Sequence, residues 1–145
     1  MREILFVCTG NTCRSPMAAA LLRDELAKLG ISDVTVKSAG IAAASGAPAS
    51  ENAVKAMAEE GIDICDHAAS PVDGAALDRA DAVYAMTEAH RAALAAKYPQ
   101  YAHKLKVLGG GVDDPFGGGP DIYRRTRDAL RQHARQLARD IADEK

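Results

Sequence analysis

The chain has no tryptophan, two phenylalanines and four tyrosines, which leaves few rings from which to build an aromatic cleft. Its three cysteines are an odd count and give no disulfide framework. With no export signal they are expected as reduced thiols of a cytoplasmic protein. The first apolar run covers only residues 4–7, too short for a signal peptide. No stretch approaches the roughly 20 apolar residues of a membrane span, so no membrane partner is expected. Charge is nearly balanced at −2, and no strong field calls for nucleic acid. His67, His90, His103 and His133 form no i,i+4 pair and have no cysteine at metal spacing, so no metal is expected. Repeats and low-complexity tails are missing. The 145 residues suffice for one domain, 1–145, with a sizeable core.

What is present centres on Cys8-Thr9-Gly10-Asn11-Thr12-Cys13-Arg14-Ser15. Ile4-Leu5-Phe6-Val7 before it reads as a buried strand. Met17, Leu21, Leu22 and Leu26 after it recur at helical spacing, with Ser15 as the expected N-cap and Pro16 as the first helical residue. A loop between a strand's end and a helix's start makes an anion site, because the first N–H groups of a helix lack intrahelical partners and carry partial positive charge. Gly10 and Asn11 are the residue types that accept the left-handed backbone a nest of N–H groups requires. Arg14 adds a guanidinium fork that matches two oxygens of a tetrahedral anion.

A phosphate fits this cup, and such surroundings favour thiolate over thiol. Cys8 is therefore the expected in-line nucleophile, and Ser15 the hydroxyl that steadies its sulfur. Cys8 alone would read as a small buried hydrophobe; its neighbours at these spacings decide otherwise. No lysine supports a Walker loop, and no second and third glycine support a dinucleotide fingerprint.

Further strands are expected at 34–38, 81–86 and 104–108, and helices at 51–60, from Thr87 to about Tyr98, and from Asp121 as cap to about 143. This alternation predicts an α/β fold: a single-domain four-stranded parallel sheet, flanked by helices on both faces, with the phosphate-binding loop after the first strand. Val54, Met57 and Ala58 are expected on the inner side of the 51–60 helix. Cys65 is expected to be packed and His67 to serve a turn. In the last helix Ile122, Thr126, Leu130, Ala134, Leu137 and Ile141 mark the buried stripe. Arg124, Arg127, Arg131, Arg135 and Arg139, interleaved with Asp128, Asp140, Asp143 and Glu144, predict a solvated, ion-paired face rather than a nucleic-acid surface.

Residues 109–120 form a glycine-rich loop leaving the carboxyl end of the fourth strand, the edge that also carries Cys8. Asp113 and Asp114 on it are two carboxylates available as a general acid. Ser38, at the carboxyl end of the second strand, has either turn chemistry or a place at the ligand edge.

Cys-x5-Arg-Ser at the start, with Asp114-Pro115 much later, resembles the low-molecular-weight protein tyrosine phosphatase family across essentially the whole chain. Cys-Thr-Gly-Asn-Thr-Cys-Arg-Ser-Pro-Met and Asp-Pro-Phe-Gly-Gly are similar to its protein-arginine phosphatase branch. The resemblance implies Cys8, Arg14 and Asp114 as catalytic residues, Asp114 being the family's acid because it directly precedes proline. It implies Thr9, Gly10, Asn11, Thr12, Cys13, Ser15 and Phe116 around the substrate. It also implies that Ser38 joins Asn11 in holding the loop, and that 41–49 forms a cleft wall.

The implied reaction is phosphoryl transfer through a phosphocysteine, without cofactor, on phosphorylated protein substrates, by a monomer. The tyrosine branch has an aliphatic residue where Thr12 stands, and an aromatic pair after Asp-Pro where this chain has Phe116-Gly117. Phosphoarginine is therefore the expected substrate and phosphotyrosine the alternative. Arsenate reductase stands behind both, since residues 81–90 lack the relay cysteines it needs. A non-catalytic phosphate-binding module is the remaining rival. Cys13, five residues from Cys8, is either a buried spectator or the partner of Cys8 in an oxidative disulfide.

Overall fold

In the computed structural model, residues 2–144 are described. Strand β1 is Arg2–Cys8, and its side chains alternate between two cores, as a two-residue period demands. Ile4, Phe6 and Cys8 join one core; Leu5 and Val7 join the other. A strand buried on both faces belongs in a parallel sheet covered on both sides. β2 (Val34–Gly40), β3 (Ala82–Ala85) and β4 (Leu105–Val107) complete it. All pairings are parallel, in the order β2-β1-β3-β4. The predicted fold class is the observed one.

Helices α1 (Arg14–Lys28), α2 (Glu51–Ala58) and α5 (Pro120–Asp143) supply the core under Phe6. Leu77 of α3 (Gly74–Arg79) and Leu94 of α4 (Glu88–Lys97) supply the opposite one. The short α3 is absent from the sequence expectation; Asp73 caps it by accepting from the Ala76 N–H. α2 is shorter than expected, and Ala53, Ala56 and Met57 are its buried residues while Ala58 is exposed. A one-residue rotation of the stripe accounts for this.

Three expectations for α5 are corrected. Its N-cap is Gly119, with Pro120 at the first position and Asp121 inside the first turn, bonded to Arg124. Ile122 is largely outside the buried stripe. The arginines pair mainly with carboxylates of other helices rather than along α5. Arg131 meets Asp24 and Glu25 at 2.7 Å, and Arg127 meets Glu59 at 2.7 Å. Arg127 and Arg131 are buried and lock helices together, while Arg135 and Arg139 are exposed as expected and Arg124 lies between.

Hydrogen bonds from Arg124 and then Arg127 hold the Glu59 carboxyl at about 2, against 4.5 ordinarily. A carboxyl depressed in the folded state contributes stability that is complete above 4.5 and is lost as pH falls through about 2. Glu59→Gln should therefore lower the thermal midpoint at neutral pH, with the gap to wild type closing as pH falls through that window.

Candidate active site

β1 and β3 are neighbours, yet the chain leaves β1 toward β2 on the other side. That reversal is where open α/β sheets place ligands, beyond the strands' carboxyl ends. Cys8 ends β1 there. Helix α1 begins at Arg14, with Cys13 as N-cap and no side-chain cap. The expected cap at Ser15 and start at Pro16 are thus two residues late. Pro16 still fits because a first-turn residue needs no intrahelical N–H bond. The uncapped helix start stays open to an anion.

Asn11 supplies the left-handed turn, at φ 57°, and Gly10 does not share it. Asn11 is fully buried and held on three sides. Its Nδ2 donates to Ser15 Oγ at 2.8 Å, its Oδ1 accepts from Ser70 N at 2.9 Å, and His67 Nε2 lies 2.6 Å from its carbonyl oxygen. His67 thus braces the loop instead of serving a turn alone. Ser38 is not among these partners; it lines a separate cavity of about 660 Å³ with Arg23 and His67. The register explains this, since Ser38 pairs with Phe6, two residues short of Cys8.

Cys8 Sγ lies 3.0 Å from Ser15 Oγ, and both residues are buried. Ser15 already accepts from Asn11, and its other contact, Ala39 O, is at 3.4 Å. Its hydroxyl proton therefore points best at the sulfur, where it stabilises negative charge. Arg14 is only 4% exposed. Its Nη1 donates to Val112 O at 2.9 Å and its Nη2 lies 3.6 Å from Asp114 Oδ2. The guanidinium is fixed by the 109–120 loop and stays part of the cup.

Cys8, Thr9, Gly10, Thr12, Cys13, Arg14, Asp114 and Phe116 line one cavity of about 240 Å³. Of the two loop carboxylates, Asp114 faces this cavity. Asp113 lines another, with Ile122 and Arg125. Asp114 Oδ1 accepts from Phe116 N at 3.0 Å, and Phe116 stands 80% exposed at the rim. Residues 41–49 form no part of this lining. They brace the loop from behind instead, Ile41 N donating to Cys8 O and Ala42 N to Thr9 O, both at 2.9 Å.

Cys13 Sγ lies 3.3 Å from Ser50 Oγ and 3.4 Å from Tyr123 OH. Burial, and then this contact, raise the Tyr123 hydroxyl above its ordinary value. Cys8 and Cys13 are both free thiols. Cys65 is exposed rather than packed, and hydrogen bonding to the Asp63 carboxylate raises its thiol, which makes it a weak nucleophile.

Gly40 reads in the sequence only as the end of a strand. A Cβ there would lie 2.6 Å from Thr9 O and 2.9 Å from Asn11 N, so only glycine lets β2 approach the loop. His90 has no role that its sequence neighbours suggest. Its Nε2 is 2.8 Å from Thr9 Oγ1 and its Nδ1 3.0 Å from Thr87 Oγ1. Burial, and then the Arg14 charge, hold its imidazolium below the ordinary 6.5, with Asp114 acting the other way. Nothing in the spacing of residues 87–90 alone signals this, because the contact spans 81 residues.

The sequence matches the family described as low molecular weight phosphotyrosine protein phosphatase over residues 3–145. The protein-arginine-phosphatase of Bacillus subtilis is 42% identical, over 96% of each chain. A probable low molecular weight protein-tyrosine-phosphatase of Ralstonia solanacearum, EpsP, is 42% identical over 80% of this chain and 79% of its own. A solved structure of the arginine phosphatase YwlE, a mutant with a phosphorylated active site serine, superposes with a TM-score of 0.95 at 40% identity. It covers 99% of this chain and 97% of that one.

Proposed function

Because the chain belongs to the low molecular weight phosphotyrosine protein phosphatase family, we propose that it is a cysteine-dependent protein phosphatase that hydrolyses phosphoarginine. It acts as a cytoplasmic monomer on phosphorylated proteins. One observation carries the reading: Cys8 Sγ, Arg14 and Asp114 share a single cavity at the start of α1, with the Ser15 hydroxyl on the sulfur.

In the first step the Cys8 thiolate attacks phosphorus, an S–P bond forms, and the P–N bond to the guanidine breaks. Asp114 gives its proton to the departing nitrogen. Arg14 and the loop N–H groups hold the equatorial oxygens as charge redistributes. In the second step Asp114 takes a proton from water, the water oxygen attacks phosphorus, and the S–P bond breaks. The sulfur leaves as thiolate, eased by Ser15. The phosphorylated serine in the YwlE mutant supports the covalent route.

The substrate choice rests on the mouth of the cavity. Thr12 presents a hydroxyl, and Phe116 is the one aromatic ring in the lining. Asp114 is half exposed and accepts hydrogen bonds from a guanidinium in a way a phenyl ring cannot return. The protein-arginine-phosphatase relative, matched over nearly the whole chain, supports the same choice. Thr12→Ile should move the ratio of kcat/KM for phosphoarginine over phosphotyrosine down by roughly tenfold or more, since it exchanges a polar wall for an apolar one. An unchanged ratio counts against phosphoarginine.

A further inference from the structure

His90 sits at the first turn of α4, behind β3, and meets Thr9, the residue after Cys8 on β1. The sheet reversal between these strands brings the two together. The donors and acceptors along this line depend on which ring nitrogen carries the proton. Thr87 Oγ1 accepts the His90 backbone N–H at 3.2 Å, which leaves its one hydroxyl hydrogen to donate elsewhere. His90 Nδ1 is 3.0 Å away. If Thr87 donates to Nδ1, the neutral ring carries its proton on Nε2, and Nε2–H donates to Thr9 Oγ1 at 2.8 Å. The Thr9 hydroxyl hydrogen is then left for the cavity that Thr9 lines with Cys8, Arg14 and Asp114. In the other tautomer Nδ1–H donates to Thr87 Oγ1 and the Thr9 hydroxyl donates to Nε2, so the Thr9 hydrogen is not available to the cavity.

We propose that His90 is a positioning residue for the phosphatase reaction, holding the Nε2–H tautomer between Thr87 and Thr9 so that the Thr9 hydroxyl donates to the phosphoryl group. The role rests on the proposed phosphatase activity, and it extends the cup by a donor from outside the loop. Half-burial of the ring and then the nearby Arg14 charge favour its neutral form, with Asp114 acting the other way.

Two readouts test it. The first is kcat/KM toward a phosphoarginine protein for wild type, Thr9→Val, His90→Phe and the double variant. A neutral hydrogen bond in one shared line is worth about tenfold. Each single variant should lose about tenfold, and the double should lose no more than either. His90→Gln, whose amide N–H reaches the Nε2 position, should recover most of the loss, whereas His90→Asn should not. Losses that multiply in the double variant, or full activity in His90→Phe, overturn the proposal. The second readout is nitrogen NMR of the His90 ring with inorganic phosphate bound, which reports the tautomer without turnover. A proton on Nε2 in a protein that hydrolyses no phosphorylated substrate would sink the phosphatase reading but leave the tautomer standing. A proton on Nδ1, or on both nitrogens at pH 7, overturns the role of His90 whatever the activity.

Discussion

Cys8→Ser should leave the fold intact and cut phosphate release by about 10⁶-fold, the order seen when a nucleophile is removed from a catalytic unit. The sulfur is buried at the end of β1, 3.0 Å from the Ser15 hydroxyl. Serine fits the same space, so packing is preserved. What changes is the nucleophile: an alcohol is almost wholly protonated at neutral pH, where the thiol is far more readily ionised. The second step suffers as well, because an alkoxide leaves phosphorus far less readily than a thiolate. Whatever phosphoryl group reaches the substituted hydroxyl should therefore stay there. Single-turnover release of phosphate, with circular dichroism as the control for folding, checks both halves. Release within tenfold of wild type would mean that Cys8 is not the nucleophile.

Arg14→Lys should lower kcat/KM by about 10²–10³-fold despite keeping the charge, the usual cost of losing an oriented donor to the transition state. Arg14 is buried and its Nη1 is committed to Val112 O at 2.9 Å. That bond aims the rest of the planar fork toward the cavity and ties the 109–120 loop to α1. A lysine ammonium is a point charge that cannot hold Val112 and grip two phosphoryl oxygens together. The variant should thus lose transition-state contacts and also the placement of Asp114, whose Oδ2 lies 3.6 Å from Nη2. Steady-state kinetics should show the fall mostly in kcat. A loss confined to KM would make Arg14 a simple binding charge.

The parts of this molecule that sequence exposes are those whose physics is local. The unbroken apolar run from Ile4 to Val7 foretells a buried strand, and the spacing from Cys8 to Ser15 foretells a loop folded around an anion. The Asp114-Pro115 pair is legible through resemblance. The contacts that stay hidden are long-range. His67 and Ser70 reach Asn11 from a connector that reads only as turn residues, and His90 reaches Thr9 across two strands. Ser38 misleads because position at a strand's end does not say which side of the sheet edge a side chain serves. The arginines of α5 mislead because their own helix offers carboxylates at matching spacing, while Asp24, Glu25 and Glu59 on neighbouring helices are the partners they take.

Turnover by this route requires a transient bond between sulfur and phosphorus. Wild-type enzyme mixed with excess phosphoarginine protein and quenched within one turnover should carry a phosphoryl adduct on the peptide containing Cys8, detected by mass spectrometry. The adduct should form and decay at rates that match phosphate release. Turnover at full rate with no adduct on that peptide, or with the adduct on another residue, would contradict it.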